Sequence, residues 1–403
     1  MKAHMRNDYQ KTIYACFIGY IVQAIVNNFA PLLFLTFQDT YDISLSKITM
    51  LVTINFGLQL LVDLVSVGFV DRIGYRASMI LAHVFAASGL ALLAVLPECF
   101  PDPFMGLLGA IVLYAVGGGL LEVLVSPVVE ACPSDHKEQT MSLLHSFYCW
   151  GHVGVVLIST VFFKVFGIGN WKVLACIWAL VPLFNAFLFA KVPIASLIEE
   201  GEKGLSIREL AKMKIFWIFM LMMTCAGASE QAVSQWASTF AEKGLGVSKV
   251  IGDLAGPMAF AILMGSARAF YGKYGERIDL DKFMIGSSFL CMASYLCISL
   301  VPSPVFGLIG CAVCGLSVGI MWPGTFSKAA ASMPRGGTAL FALMALAGDL
   351  GCSGGPTVVG MVSGAFGEDL KKGILVAVMF PLLLVLGVVM CRKASKIGAD
   401  AKG

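Results

Sequence analysis

PIASLIEEGEKGLSIRELAKM, residues 193–213, is the most densely charged stretch of a 403-residue chain. It holds Glu199, Glu200, Glu202, Lys203, Arg208, Glu209 and Lys212, with apolar sequence on both sides. Such a stretch stays in water as a linker, and Ser206 to Lys212 within it suits a short surface helix. Before it, apolar runs fall at 12–37, 48–70, 78–97, 104–130, 139–165 and 170–192. After it, they fall at 214–240, 248–271, 281–301, 304–331, 336–365 and 371–391. Each can cross a bilayer, which takes about 20 apolar residues. The layout is a six-helix bundle over 1–192, a charged cytoplasmic linker over 193–213, and a second six-helix bundle with a short tail over 214–403.

Composition agrees. Hydrophobic residues make up 58% of the chain and charged ones 13%, where a soluble domain carries about 25% charged. A soluble fold this apolar would have no surface to show to water, whereas a lipid-facing bundle can be Leu, Val, Ile and Phe outside. Twelve spans use roughly 240 residues, which leaves no room for a large soluble domain. The expected fold is an all-α membrane protein with twelve transmembrane helices in two six-helix, pseudo-symmetric bundles.

The first run exceeds the apolar core of a signal peptide, about 7–15 residues. It also carries Gln23, Asn27 and Asn28, with no small-x-small cleavage site after it. The twelve Cys are scattered, mostly in apolar runs. Cys311 and Cys314 form a C-x-x-C inside one such run, where they read as small buried helix residues rather than a redox or metal pair. Only Cys99 falls on the outer side, so no disulfide framework is expected.

Basic residues orient the chain. With both ends cytoplasmic, 21 of the 28 Lys and Arg lie at cytoplasmic segments and helix ends, including Lys2, Arg6, Lys11, Arg277, Arg335, Arg392 and Lys393. The outer side holds Lys47, Lys164, Lys172, Lys243, Lys249, Lys371 and Lys372. That bias supports both the orientation and an even number of spans, and the expected place is the cell inner (plasma) membrane, multi-pass with both termini cytoplasmic.

Polar residues inside spans are costly in lipid and mark cavities or partners. The deep acidic ones are Asp63, Glu122, Glu230 and Asp349. Glu122 lies mid-span, one turn from Gly118 and from Ser126, and a carboxyl group there suits the loading and release of a proton. A buried, permanently neutral acid is the plainer alternative. Glu230 stands in Ala228-Ser-Glu230-Gln231-Ala-Val-Ser234-Gln235-Trp236, where Glu230 and Ser234, and Gln231 and Gln235, are i, i+4 pairs. Amides and carboxylates match hydroxyls, and an aromatic ring stacks on the C–H face of a sugar. Interhelical hydrogen bonding is the alternative there. Gln23 and Asn27 form a similar pair in the first span. His145, Tyr148 and His152 share a face of the fifth span; His145 is assigned to a cavity, and no carboxylate or Cys joins the two His at metal spacing. Trp322 precedes Pro323, which loosens the helix at a cavity. Asp349, in a Gly-rich helix, fits a second ion site or a partner for a donor equally well, and Asp63 is as ambiguous.

The loop after the second run is Gly68-Phe-Val-Asp71-Arg72-Ile-Gly74-Tyr75-Arg76. Its D-R-x-G-x-R core resembles the signature loop of the major facilitator superfamily, except that Val67 stands where the leading Gly is usual. Tyr271-Gly-Lys-Tyr-Gly-Glu276-Arg277 is a degenerate echo after the eighth run, as repeated halves would produce. Within that superfamily, Gly119-Leu-Leu-Glu122-Val-Leu-Val-Ser126-Pro127, His145-Ser-Phe-Tyr148-Cys-Trp150-Gly151, Glu230 and Met321-Trp322-Pro323-Gly-Thr-Phe326-Ser327 resemble the fucose permease-like (fucose-galactose-glucose:H+ symporter) group. The chain departs from the group near Ala30-Pro31, where the group has an acid, and at Tyr148, where it has Asn. Those departures leave fucose itself, and a copied coupling scheme, open.

The resemblance implies a secondary active transporter that moves a small polar, sugar-like solute by alternating access, with proton symport. Efflux antiport of drugs or metabolites is the alternative, although no Arg stands in the fourth span and Gly151-His-Val-Gly154 lacks the following Pro of the antiporter motif. The expected solute contacts are Gln23, Asn27, His145, Tyr148, Glu230, Gln231, Gln235, Trp236 and Trp322. The expected coupling carboxyls are Glu122, Glu230 and Asp349, and Asp71, Arg72 and Arg76 form a cytoplasmic latch. The expected partners are the solute, a coupling ion (H+ ahead of Na+) and the bilayer. The protein is expected to act as a monomer, without nucleic acid, cofactor or metal. Neither G-x-x-x-x-G-K-S/T nor H-E-x-x-H occurs, so no enzyme is expected. A C-terminal fluorescent reporter should light up in the cytoplasm, and a periplasmic alkaline phosphatase fusion at the same place should stay inactive; the reverse pattern would overturn the orientation.

Overall fold

The computed structural model describes residues 2–198, 204–234, 237, 249–367 and 369–400. Among the described residues there is no strand. Lipid offers backbone groups no partner, so a spanning segment must pair its own, as a helix does. The chain is an all-α membrane protein, with eleven helical stretches among the described residues long and apolar enough to cross a bilayer. The other expected span, 248–271, coincides with a 26-residue helix, Lys249–Tyr274.

The chain divides into two compact units: Met1–Asp135 with Phe147–Lys203, and His136–Ser146 with Gly204–Gly403. The first contains α1 (Lys2–Asn28), α2 (Phe34–Tyr41), α3 (Leu45–Ile73), α4 (Tyr75–Leu93), α5 (Leu96–Cys99), α6 (Pro103–Ala131), most of α7 (Lys137–Phe166) and α8 (Trp171–Lys191). The second contains the opening turns of α7, then α9 (Ile207–Lys212), α10 (Lys214–Ser234), α11 (Lys249–Tyr274), α12 (Leu280–Leu300), α13 (Pro304–Val318), α14 (Met321–Ser332), α15 (Gly337–Ala365), α16 (Leu370–Ala377) and α17 (Met379–Asp400).

Four runs expected as single spans are broken, each beside a proline; the run 78–97 parts at Ala94-Val95, two residues before Pro97. A proline at position i has no N–H for the carbonyl at i−4, and its ring crowds that carbonyl. The run 12–37 stops at Asn28 and resumes at Phe34, with a 3-10 turn at Ala30–Leu33 around Pro31. The Asn28 side chain donates back to Ala24 O at 2.8 Å and so ties down the end of α1. The run 304–331 parts at Gly319-Ile320, three to four residues before Pro323. The run 371–391 parts at Val378, three residues before Pro381. Pro127, Pro182, Pro257 and Pro356 sit inside helices that continue through them.

In the linker, Ser206 and Glu209 form a capping box at the start of α9. The Ser206 hydroxyl and N–H hold the Glu209 carboxyl below its usual range. Residues 199–203 of the linker lie outside the described residues.

The outer faces are apolar. On α8, Leu180, Leu183, Phe184 and Phe187 are 60%, 55%, 58% and 57% exposed, at the i, i+3, i+4, i+7 spacing of one stripe. Water would penalise that stripe, and lipid tails do not. Inside each unit, glycine permits contacts that no side chain would. A Cβ on Gly117 of α6 would lie 2.6 Å from Ala82 O in α4, and one on Gly351 of α15 would lie 2.0 Å from Thr224 O in α10. Gly354, one turn on, has nothing within 4 Å of that position. Gly351→Ala should therefore destabilise the protein by about 1–3 kcal/mol through overpacking, and Gly354→Ala should not. Thermal unfolding in detergent checks the contrast, and equal effects would refute it.

Candidate functional site

The first unit gathers polar side chains where α1, α3 and α6 meet. Tyr20, Gln23 and Asn27 lie at i, i+3, i+7 on α1, and Glu122 and Ser126 lie one turn apart on α6. Tyr20 Oη and Ser126 Oγ share a buried hydrogen bond of 2.8 Å. Gln23 Nε2 donates to Glu122 Oε2 at 2.9 Å, and Gln59 Nε2 of α3 donates to Asn27 Oδ1 at 2.9 Å. Asn55, Gln59, Asp63 and Ser66 are all buried along one face of α3. The opposite face of that helix shows Leu61 and Leu64 to lipid, at 54% and 51% exposed. Gly118 makes the crossing possible, since a Cβ there would meet Val26 of α1 at 2.9 Å and Gln59 of α3 at 3.6 Å. Tyr148 and His152 of α7 are half-buried in this unit.

The second unit is built around Arg268 of α11, which is 3% exposed. Its Nη2 donates to Glu230 Oε2 of α10 at 3.1 Å, its Nη1 to His145 O at 3.2 Å, and its Nε to Gly319 O at 2.8 Å. Its own backbone oxygen accepts from Ser142 Oγ at 2.8 Å. The His145 ring stacks on Phe326 at 5.8 Å between centroids, and Trp322 lies 6.3 Å from Phe326. The Trp322 ring is lodged against Gly348, beside Asp349: a Cβ on Gly348 would come within 2.1 Å of it. Gln231 and Ser234 are half-buried next to Glu230. Gln235 and Trp236 lie outside the described residues.

Residues 15–356 match the family model of the Major Facilitator Superfamily. The chain belongs to that superfamily. It is therefore a multi-pass membrane transporter. It is 24% identical over 294 residues to the membrane protein MosC of Rhizobium meliloti, across 73% of this chain and 69% of that protein. Among solved structures it resembles the superfamily transporter FucP in the outward conformation, with a TM-score of 0.82 and 17% identity over 95% of this chain and 99% of that one. Another FucP structure is described as the E. coli fucose:proton symporter; the TM-score is 0.79 and the identity 16%, over 95% of this chain and 99% of that one. The proton:xylose symporter XylE gives a TM-score of 0.76 and 13% identity, over 96% of each chain. At such identities the likeness is one of fold.

The signature loop of this superfamily member lies at the α3–α4 junction. Gly74 adopts φ +83°, which lets the chain turn between the two helices. Asp71 and Arg72 are exposed. Arg76 Nη1 donates to Phe189 O at 2.8 Å and Ala190 O at 3.1 Å, so it caps the C-terminal end of α8. In the echo loop, Glu276 pairs with His136 Nε2 at 2.8 Å. Cys311 and Cys314 are buried free thiols. Among the described residues no group of three or more His, Cys, Asp and Glu is placed to hold a metal.

Sequence reasoning missed Arg268, Gln59 and Tyr20. Arg268 carries a signal, as an Arg inside the run 248–271, which a tally of basic residues by side places with the cytoplasmic helix ends. Gln59 and Tyr20 share helix faces with other polar residues, but their partners lie on α1 and α6. His83 and Asn185 were also unassigned; they form a buried bond of 2.7 Å, with His83 Nδ1 against Met79 O, and knit α4 to α8. Gln59→Leu should leave Asn27 short of a donor and cost about 1–3 kcal/mol. An unchanged thermal unfolding temperature in that variant would contradict the Gln59–Asn27 bond.

Proposed function

We propose that this transporter moves a small polar, sugar-like solute by alternating access, coupled to proton symport, in a plasma membrane with both termini cytoplasmic. The two bundles, 1–192 and 214–403, are the moving parts on this reading, joined by the 193–213 linker. The observation that carries it is the hydrogen bond between Gln23 and Glu122, set among Tyr20, Asn27, Gln59 and Ser126 in the middle of apolar spans. Hydroxyls of a polyol find donors and acceptors of the right kind there. A carboxyl bonded to an amide keeps a partner in either protonation state, because the amide offers both an N–H and a carbonyl. In the second unit, Glu230, Gln231 and His145 supply further polar groups, and Trp322 an aromatic face. The similar folds named fucose:proton and proton:xylose symporters favour a sugar and a proton.

Asp71, Arg72 and Arg76 serve as the cytoplasmic latch. Arg76 also holds the Phe189 and Ala190 carbonyls of α8. Efflux antiport gains no particular support from these contacts.

In proteoliposomes with an inward proton gradient, hexoses, pentoses or polyols should accumulate above equilibrium. Glu122→Gln should abolish that accumulation yet retain solute counterflow. No uptake of any such solute by the unaltered protein would sink the symport reading. Uphill transport by the variant would remove Glu122 from the coupling role.

A further inference from the structure

In an unbroken α-helix the carbonyl of residue 319 accepts from the N–H of residue 323. Residue 323 is Pro323, which has none. The ladder resumes one residue later, with Gly324 N–H on Ile320 O at 2.8 Å. A carbonyl released inside a membrane span must find another donor. Arg268 Nε supplies it, at 2.8 Å. The same guanidinium reaches Glu230 on α10 and the carbonyl of His145 in the opening turns of α7.

We infer that Arg268 is a positioning residue: it stands in for the N–H that Pro323 lacks and holds the α13–α14 break in a set place relative to α10 and α7. Its fork suits the task, since Nε and the two Nη atoms point to three partners in one plane, which a Lys ammonium cannot match. What the break carries is the aromatic end of the candidate site. Trp322 and Phe326 follow it within two turns, and the Phe326 ring stacks with those of His145 and Phe341. Glu230 steers the guanidinium from the other side, as its carboxylate partner. The consequence for transport, though not the clamp itself, rests on the proposed solute site.

Removing the proline should therefore compensate for removing the arginine, because P323A restores a backbone N–H to Gly319 O. R268Q, P323A, R268Q/P323A and R268Q/E230Q are compared by thermal unfolding in detergent and by solute counterflow in proteoliposomes. R268Q should raise the counterflow KM about tenfold or more, with a smaller change in maximal rate, and lower the unfolding temperature. Adding P323A should recover much of both. Adding E230Q should recover the part due to the stranded carboxylate. Strictly additive effects of R268Q and P323A would overturn the clamp. A fall in stability with an unchanged KM would overturn its positioning role. Should R268Q not fold, R268K and R268K/P323A replace it, with the same rescue expected. If the unaltered protein carries no tested solute, the function proposed above fails, while the unfolding temperatures still decide the clamp.

Discussion

Everything in this chain follows from the absence of water as a hydrogen-bond partner inside the bilayer. Backbone groups there must pair within the chain, so the spans are helices, and each place where a helix lapses needs a local substitute. The protein shows three solutions. At Pro31 the chain closes a 3-10 turn, and Asn28 folds back on Ala24 O. At the end of α8, nearer the surface, the exposed Arg76 meets two of the last-turn carbonyls, those of Phe189 and Ala190. At Gly319 a buried guanidinium does so, from another helix. The third solution is the most demanding, because it brings a full charge into the span, and that charge in turn requires Glu230.

Close helix approach is the second condition, and it serves the first. Side chains as short as Gln23 and Glu122 can bond only if their helices come near. Gly118 lets α1 and α3 approach α6, and Gly351 lets α15 approach α10. No hydrophobic effect pulls helices together within lipid, so contact of backbone on backbone supplies the cohesion instead. The glycines thus act on the site indirectly. They set the distance at which the polar side chains meet.

Much of the fold could be read from sequence because lipid imposes a one-dimensional rule. Apolar length alone located the spans, and the charged run at 193–213 separated them into two sets. The helix breaks are less visible: the sequence shows that Pro323 loosens its helix, but not that the parting lies N-terminal to it, at the carbonyl the helix ladder leaves to Arg268. The candidate site was legible at pairs such as Gln23 and Asn27, which share a face of one helix, since 3.6-residue periodicity is local. It was illegible where the partner is on another helix. Nothing adjacent to Gln59 in the chain points to Asn27, and nothing near Arg268 points to Glu230. A tally of basic residues also hides the one that matters, because it assigns every Arg to a helix end.

The two bonded carboxyls differ in what protonation would do to them. Glu122 accepts from the amide of Gln23. If that carboxyl gains a proton, the amide can turn and accept from it, and the contact survives with its polarity reversed. Glu230 accepts from a guanidinium, which has donors only and stays charged. A proton on Glu230 would turn an ion pair into a contact between a cation and a neutral acid, and it would loosen the steering of Arg268 at the α13–α14 break. A coupling group must change charge on every cycle without dismantling its surroundings. By that criterion, on the function proposed above, Glu122 suits the part of proton carrier and Glu230 that of fixed charge, because two acidic residues alike in the sequence have partners of different chemistry.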